Sequence, residues 1–412
     1  MNNVRQLIFL FFNKFHYTFV PLFLMSGDIK FINTMDWLNK LFLLFLVLSL
    51  FNCSDISKEY KNIEHRIVID SAINVKHKFV VSSKKAIALE TTSESLLGNI
   101  QEVVANDDYL FLLSSDQIYQ FRMNGEFVRV VCKKGRGPKE MIEIRRMVLK
   151  DNLLYLFGLG HSMLIFDMDG NLVKAIPTLG RGDFWNFHPN DSETFWVHLY
   201  ADMKGNNPYY LSLIDSTMTP IDNWQPKSGE GMSLYMQTKN FVEDENNTLY
   251  YFHHTSNVVS RLTDNESVPE FLFDFGKNTP NYELIATLST PEEINEKFYN
   301  HYKLMDVGFL NDYLFFKYCE SKPPYVPIRN FYGIYDIKEH KTYKTDIING
   351  TYPFYNNRVV DNGIVRYQAG IVSQLGEKAR SYYEELIGYK LSEDENPIIL
   401  VDTIYDCIIQ PQ

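Results

Sequence analysis

The sequence predicts an all-β fold assembled from repeats of one four-stranded unit. Aromatic residues make up 15% of the chain, which favours the half-buried pleated surface of β-sheets. Segments 117–131 and 162–176 align without gaps, and a Gly-Arg-Gly triplet follows each at the same distance, so 45 residues separate the two copies. That repeat length is typical of one four-stranded antiparallel blade of a β-propeller.

Each repeat carries a turn signal between two apolar runs. Asn124-Gly125 and Asp169-Gly170 tolerate positive φ at both central positions, so they predict type I′ hairpin turns. A turn followed by an apolar strand precedes each hairpin, at 107–113 and at 150–157.

The same pattern continues along the chain with more variation. Further strand groups are predicted at 193–197 with 209–214, at 247–252 with 258–262 and 271–275, at 312–318 with 331–336, and within 352–405. Together with the two clear repeats they make six units. The prediction is therefore a six-bladed β-propeller over residues 63–412, since five or seven units of this length would fit the chain less well.

Two short helices are predicted as insertions into this fold. Thr290, Pro291 and Glu293 form a capping box that starts the first helix. The second covers about 377–387, and Gly388 is a natural stop.

The N-terminal segment predicts export and membrane attachment. Residues 35–52 have the order of a signal peptide, with Lys40 before an apolar core at 41–50 that is too short for a permanent membrane helix. The core ends at Cys53 in a sequence that resembles the lipobox of bacterial lipoproteins, with Asn52 where Gly, Ala or Ser is usual. We expect Cys53 to be lipidated, 53–62 to be a polar linker, and 1–34 to be a mis-assigned start, a pair of membrane-associated segments being the alternative.

Charge and cysteine content exclude several classes of function. The formal net charge is −11, and no basic stripe offsets it, so nucleic-acid binding is not expected. Besides Cys53, the chain holds Cys132, Cys319 and Cys407, far apart and without zinc spacing, which predicts buried free thiols. His253 and His254 would point to opposite faces of a strand, so no metal site and no cofactor are expected.

Three segments resemble a known family. Residues 87–98, 125–140 and 393–399 together resemble the six-bladed β-propeller lipoproteins of Bacteroidota, distant relatives of NHL-repeat and TolB-like propellers. The resemblance covers about residues 60–405. It implies that a Gly-x-Gly-Pro-x-Glu element is a structural blade-to-blade turn, and the residues concerned are Gly135, Arg136, Gly137, Pro138 and Glu140, then Gly180, Arg181 and Gly182 in a second copy, where Asp183 replaces proline.

Reading the residues alone, the two glycine loops lack the following helix that a phosphate-binding loop requires. Inter-blade turns are therefore expected, although the arginines leave open an anionic ligand at one face of the disc.

Aromatic loops supply the candidate ligand face. The segments 184–188 and 322–329 fall where blades connect, and exposed aromatic side chains are favoured at binding surfaces. The candidate residues are Phe184, Trp185, His188, Tyr325 and Arg329. The alternative is that these side chains serve ordinary packing between blades.

No catalytic residue is assigned. Paired carboxylates such as Asp183 and Glu193 exist, but no nucleophile motif accompanies them. The expected function is a monomeric, envelope-anchored module that binds a glycan, a peptide or a partner protein. The alternatives are a carbohydrate hydrolase or lyase at the mouth of the central channel, and a periplasmic sensor or assembly factor.

Overall fold

The computed structural model describes the part of the chain that follows residue 62. The described residues are 63–159, 162–177, 184–191, 193–199, 209–226, 239–253, 256–280, 301–322, 326–345, 357–360 and 363–411. The predictions for 1–34, 35–52 and 53–62, including Cys53, lie outside them.

Strands dominate this part of the chain and form mainly antiparallel sets of four. The chain opens with β1 (His65–Val68) and β2 (Ile73–Ala88), whose partners come later. We number the sets that follow as units 1 to 6. Unit 1 contains β3 (Ile100–Ala105), β4 (Tyr109–Ser114), β5 (Gln117–Arg122) and β6 (Phe127–Lys134), extended by the two-residue β7 (Glu140–Met141).

Units 2 to 4 repeat this arrangement along the chain. Unit 2 contains β8 (Glu143–Lys150), β9 (Leu153–Leu159), β10 (Ser162–Asp167) and β11 (Leu172–Pro177). Unit 3 contains β12 (Phe184–Pro189), β13 (Thr194–Leu199), β14 (Tyr209–Asp215) and β15 (Pro220–Pro226). Unit 4 contains β16 (Phe241–Glu243), β17 (Leu249–Tyr251), β18 (Val258–Leu262) and β19 (Ser267–Asp274).

Units 5 and 6 share one eight-stranded sheet, and the two chain ends meet in unit 6. Unit 5 contains β20 (Tyr302–Leu310), β21 (Tyr313–Lys322), β22 (Val326–Asp336) and β23 (Lys341–Thr345). Unit 6 contains β24 (Asn357–Val360), β25 (Gly363–Gly370) and β26 (Ile398–Pro411), and β2 is its fourth strand.

The N-terminal strands tie three units together. β1 runs parallel to β19 at the edge of unit 4, and the start of β2 runs parallel to β23 of unit 5. From Val75 to Ala88, β2 then runs antiparallel to β26. The outer strand of unit 6 therefore comes from the opposite end of the chain to its other three strands.

In units 1 to 4 the second strand is buried on both faces, which explains its largely apolar sequence. On β4, Phe111 and Leu113 pack against unit 2, whereas Leu110 and Leu112 pack against unit 6. Side chains of a strand alternate between faces, so a sheet held between two neighbours needs apolar residues at every position.

Every pair of consecutive units shares one apolar cluster. Representative buried pairs are Leu113 with Met147 for units 1 and 2, Phe157 with Phe187 for units 2 and 3, Trp196 with Tyr251 for units 3 and 4, Phe271 with Phe309 for units 4 and 5, Ile334 with Ile364 for units 5 and 6, and Ile399 with Leu110 for units 6 and 1. The last cluster joins the final unit to the first. The described fold is therefore all-β and propeller-like, as predicted.

The predicted hairpins at Gly125 and Gly170 are present, but their turn type is not the expected one. Only the glycines have positive φ, 90° and 74°, and the residues before them do not. Each hairpin is a type I turn closed by a glycine in the left-handed region, since Gly125 N–H donates to Arg122 O at 2.9 Å and Gly170 N–H to Asp167 O at 3.1 Å. The loop is one residue longer than a type I′ turn allows.

The second predicted helix is confirmed as α1 (Glu377–Ile387), inserted between β25 and β26. Gly388 ends it in the left-handed conformation, with φ 84°. Tyr383 packs the helix onto Val372 and Ile398. The first predicted helix, near 290–298, lies outside the described residues. Among the helices described, none has the length and apolar character to span a membrane.

Candidate functional site at the inner strands

The first strand of each unit lies next to the first strand of a neighbouring unit. β3 contacts both β8 and β24, and β12 contacts both β8 and β16. β20 contacts β16 and also β26 of unit 6. These inner strands therefore surround a common axis, as the inner strands of a propeller do.

A β-bulge recurs near the beginning of the inner strands. The register shifts in β3, β8, β12 and β20, in each case just before a polar residue. Directly before β16 the equivalent position is Asn240, whose carbonyl accepts a 3.0 Å hydrogen bond from Phe252 N–H. We call the five equivalent residues the polar ring, and they are Glu102, Arg146, Asn186, Asn240 and Asp306. Bulges of this kind re-aim side chains and are frequent beside functional sites.

Glu102 and Arg146 link units 1 and 2. Glu102 is 8% exposed, and its Oε2 accepts a 3.0 Å hydrogen bond from Met147 N–H. Its Oε1 lies 3.8 Å from Arg146 Nη1, which is longer than a hydrogen bond. Burial raises the pKa of the Glu102 carboxyl, and the neighbouring Arg146 and Lys239 oppose this shift.

Asp306 and Lys239 bring charge from units 4 and 5 to the same place. Burial raises the pKa of Asp306 to about 7, although Lys239 and Lys317 act in the opposite direction. Burial also lowers the pKa of Lys239, which interacts electrostatically with Glu102, Asp306 and Arg146. The Lys239 ammonium group thus interacts with charged residues of units 1, 2 and 5. Glu102, Arg146 and Asp306 therefore lie around this one group.

Two charged members of the ring retain unused hydrogen-bonding capacity. Asp306 is 8% exposed, and its Oδ1 has no hydrogen-bond donor. Within the described chain, the Arg146 guanidinium has the long contact to Glu102 as its ion pair. Buried polar groups are normally satisfied, so groups with spare capacity point to a missing partner.

The amide members of the ring are satisfied by the protein. Asn240 Nδ2 donates to Phe252 O at 3.0 Å, and its Oδ1 accepts from Asn186 Nδ2 at 3.4 Å. Asn186 Oδ1 accepts from Phe187 N–H at 3.0 Å. The hydrogen bond between these two side chains therefore links units 3 and 4.

A cluster of histidine and tyrosine rings borders the amide side of the ring. His198 is the cross-strand partner of Asn186, and its Nδ1 lies 2.7 Å from Tyr251 Oη. The ring centroids of His253 and Tyr210 are 4.4 Å apart at a tilt of 33°, and the Tyr210 ring is parallel to that of His198. This cluster packs between units 3 and 4.

His188, predicted as part of the ligand face, is buried between inner strands. Its Nδ1 lies 2.8 Å from Pro189 O, and since a carbonyl only accepts, Nδ1 is the donor. Its Nε2 lies 3.3 Å from Glu243 Oε1, which is also 3.9 Å from Lys150 Nζ. Burial would raise the pKa of Glu243, but His188 and Lys150 outweigh it and the pKa is lowered. His188 therefore joins units 3 and 4 through its contact with Glu243.

The other predicted ligand-face residues are only partly accessible to description. Phe184 and Trp185 belong to β12, with Trp185 at its bulge, but their side chains lie outside the described part, as does the whole of Tyr325. Arg329 is exposed, and its guanidinium lies 4.9 Å from the Phe331 ring centroid. Whether these residues bind a ligand stays a prediction.

The first Gly-Arg-Gly-Pro-x-Glu element lies between the last long strand of unit 1 and the first strand of unit 2, as expected of an inter-unit turn. Gly137 N–H donates to Glu140 Oε2 at 2.8 Å, and Gly135 N–H donates to Met141 O at 2.9 Å. A Cβ on Gly135 would overlap the Glu140 carboxylate. Arg136 and Pro138 are exposed. The second copy, Gly180 to Gly182, lies outside the described residues.

The three described cysteines lie outside the polar ring and belong to the buried core. Cys132, Cys319 and Cys407 are buried free thiols, as predicted. Burial raises the pKa of Cys132 and Cys407 to about 12. Across the residues the structure describes, no group of three or more His, Cys, Asp or Glu could hold a metal ion.

The sequence prediction missed the polar ring, although a signal for it exists. Each ring residue stands four positions before the residue that begins the following turn, and an apolar residue follows it directly. The turn residues are Asn106, Lys150, Asn190, Asp244 and Leu310. Aligning the repeats on this turn, rather than on the later hairpin glycine, brings the five ring residues into one column.

The match to a known family fits this architecture. A family model described as a domain of unknown function, DUF4934, matches residues 62–401. The chain belongs to the DUF4934 family. No curated protein sequence matches this DUF4934 chain.

One solved structure shares its fold, and two more distant ones are also similar. A candidate exported protein from Bacteroides fragilis NCTC 9343 has a TM-score of 0.59 at 18% identity, over 83% of this chain and 99% of that one. A member of the DUF4221 family from Bacteroides vulgatus ATCC 8482 has a TM-score of 0.47 at 12% identity, over 82% and 99%. Virginiamycin B lyase from Staphylococcus aureus has a TM-score of 0.36 at 10% identity, over 69% and 84%. The first similarity shows a common fold, and the other two are too distant to support an argument.

Proposed function

We propose that this chain is a six-bladed β-propeller of the bacterial envelope, anchored through Cys53, that binds a polar ligand at the polar ring. The ligand would be a glycan, a peptide or a segment of a partner protein. The observation that carries the proposal is the spare hydrogen-bonding capacity of Arg146 and Asp306 at equivalent positions of two inner strands.

The apolar clusters support six blades. Each consecutive pair of units shares one cluster, and the cluster between units 6 and 1 is built from both ends of the domain. The antiparallel pairing of β2 with β26 gives unit 6 its outer strand from the N-terminal side. Joining strands from the two ends of the chain in one blade is how a propeller closes its ring.

The energetics of buried charge support a ligand. A buried polar atom without a partner costs about 1–3 kcal/mol, and more if it is charged. A binding site tolerates that cost because the ligand supplies the missing partner. The ring places such atoms beside the axis, where the inner strands of different units meet, and not within an apolar interface.

Acid–base catalysis is the second candidate function. Asp306, with a pKa of about 7, and Glu102, with a raised pKa, are two buried carboxyls in one charged network. A carboxyl with a pKa near neutrality can act as a general acid or base. This supports a hydrolase or lyase at the channel as the alternative.

The test uses the full chain purified in a mild detergent and screened against glycan and peptide arrays. We expect one ligand class to bind, and Glu102→Gln and Asp306→Ala to weaken that binding at least about tenfold. Glu94→Gln, in an exposed loop, is the matched control and should bind like the wild type. Binding that both ring variants leave unchanged would contradict the proposed site.

Product analysis of the bound ligand separates the two functions. Turnover that disappears in Asp306→Asn would favour the enzyme, and an unchanged ligand would favour the binding module.

Anchoring and orientation need their own experiments. The similarity to a candidate exported protein agrees with export of this chain. Cys53→Ser should move the protein from the membrane to the soluble fraction. Protease treatment of intact cells then distinguishes a surface module from a periplasmic sensor or assembly factor.

A further inference from the structure

Arg146 is placed to bind an anionic group. Its side chain is 22% exposed, and its neighbour Glu102 already accepts a hydrogen bond from Met147 N–H. At 3.8 Å from Glu102, the guanidinium keeps its hydrogen-bond donors available. A guanidinium presents donors in a fork that matches the two oxygens of a carboxylate.

Asp306 needs a hydrogen donor. Its Oδ1 is buried without one, and the charged groups that act on it are the ammonium groups of Lys239 and Lys317. Because burial holds its pKa at about 7, the carboxyl can accept or donate at neutral pH. A hydroxyl group, which both donates and accepts, suits either state.

In the proposed six-bladed ring, the two residues would lie on opposite sides of the axis. Arg146 belongs to unit 2 and Asp306 to unit 5, and in a ring of six units these are three steps apart. A ligand with an anion at one end and hydroxyl groups at the other would satisfy both residues. A hexuronic acid has this arrangement, because its carboxylate lies across the sugar ring from its vicinal hydroxyls.

We infer that the polar ring binds a uronic acid residue of a glycan, with its carboxylate on Arg146, assisted by Lys239, and a hydroxyl group on Asp306. This rests on the proposed function and names its ligand class. Electrostatic attraction from Arg146 and Lys239 distinguishes such a ligand from a neutral glycan.

The test is calorimetric titration of the full chain with oligosaccharides of glucuronate, galacturonate and mannuronate. Each is paired with its carboxyl-reduced counterpart, which replaces the carboxylate by a primary alcohol. We expect at least one uronate oligomer to bind and its reduced form to bind at least about tenfold more weakly, because hydrogen bonds to charged groups are the stronger ones.

Variants then assign the residue. Arg146→Met should weaken uronate binding by about 10- to 100-fold, and Arg146→Lys should restore part of it. Arg145→Met is the matched control, since Arg145 occupies the bulge beside the ring and forms a 3.0 Å ion pair with Glu143. It should bind within about twofold of the wild type, because its guanidinium is already engaged by Glu143. If Arg146→Met does not fold, the wild type still tests the inference. Equal binding of a uronate oligomer and its carboxyl-reduced form would then overturn it.

The outcomes separate the two claims. If a neutral glycan or a peptide from the arrays binds at the ring and no uronate does, this inference is overturned while the proposed function stands. Uronate binding that Arg146→Met leaves unchanged also overturns it. If the chain binds nothing in the arrays or in the titrations, the proposed function fails as well.

Discussion

Neighbouring residues of one inner strand meet opposite surroundings in this molecule. Val103 lies in the apolar cluster between units 6 and 1, whereas Glu102 beside it belongs to the polar ring. Met147 and Arg146 repeat this contrast in unit 2. The apolar clusters gain free energy from burial, while the ring leaves charged groups incompletely satisfied. The clusters therefore account for the stability of the fold, and the ring for its capacity to bind.

The largest expected effect is on an apolar cluster. Phe166 is fully buried between units 1 and 2, so Phe166→Ala should lower the free energy of unfolding by about 3–5 kcal/mol through lost burial and a cavity. Leu96→Ala, at a side chain that is 64% exposed, should change it by less than about 0.5 kcal/mol. Urea denaturation measures both, and equal effects would refute the assignment of stability to the clusters.

Replacing a ring carboxyl should have a pH-dependent effect of the opposite sign. The folded pKa of Asp306, about 7, exceeds its ordinary value of 3.8, so the folded state holds the proton more tightly and wild-type stability falls as pH rises from about 4 to 7. Asp306→Asn removes this loss. The variant should be close to the wild type at pH 4 and more stable by roughly 2–4 kcal/mol at pH 8. Urea titrations at both pH values would show a pH-independent difference if Asp306 ionises normally.

Two glycines with positive φ should separate strain from steric overlap. Gly125 has φ 90°, and a Cβ there would overlap the carbonyl of Ala88, whereas Gly388 has φ 84° and open space around it. Gly388→Ala should cost about 1 kcal/mol from left-handed strain alone, and Gly125→Ala about 2–3 kcal/mol. Thermal unfolding of the two variants measures both losses of stability. Equal losses would count against the described hairpin at Gly125.

The smallest expected effect concerns the edge strand β1. Burial lowers the pKa of His65, Glu64 and Glu270 oppose this, and His340 adds to it. The folded state therefore favours the neutral ring, and stability should be lost as pH falls below about 6.5. His65→Gln should reduce this loss of stability between pH 7 and pH 5, because the variant has no imidazole to protonate. Hydrogen exchange of β1 amides reports it, and unchanged acid sensitivity in the variant would exclude His65 as its source.

The fold was more predictable from the sequence than the site. The hairpins at Gly125 and Gly170 and the end of α1 at Gly388 depend on neighbours in the chain, so local patterns indicate them. The turn type was wrong because loop length depends on which residues pair, and that is a tertiary property.

The polar ring depends on contacts between distant units. Glu102 and Asp306 are ordinary charged residues in the sequence, and they become unusual only because two inner strands bury them beside Lys239. His188 shows the converse, since a histidine in an aromatic segment suggested exposure, while the fold buries it against Glu243. Burial of charge is decided by the assembly of units, which no single repeat encodes.

A crystal structure of the full chain with its array-selected ligand tests the central claim most directly. We predict six blades around one channel, with the ligand within hydrogen-bonding distance of Arg146 and Asp306. A ligand bound at the outer strands, with Arg146 and Asp306 contacting only water or protein, would contradict the account.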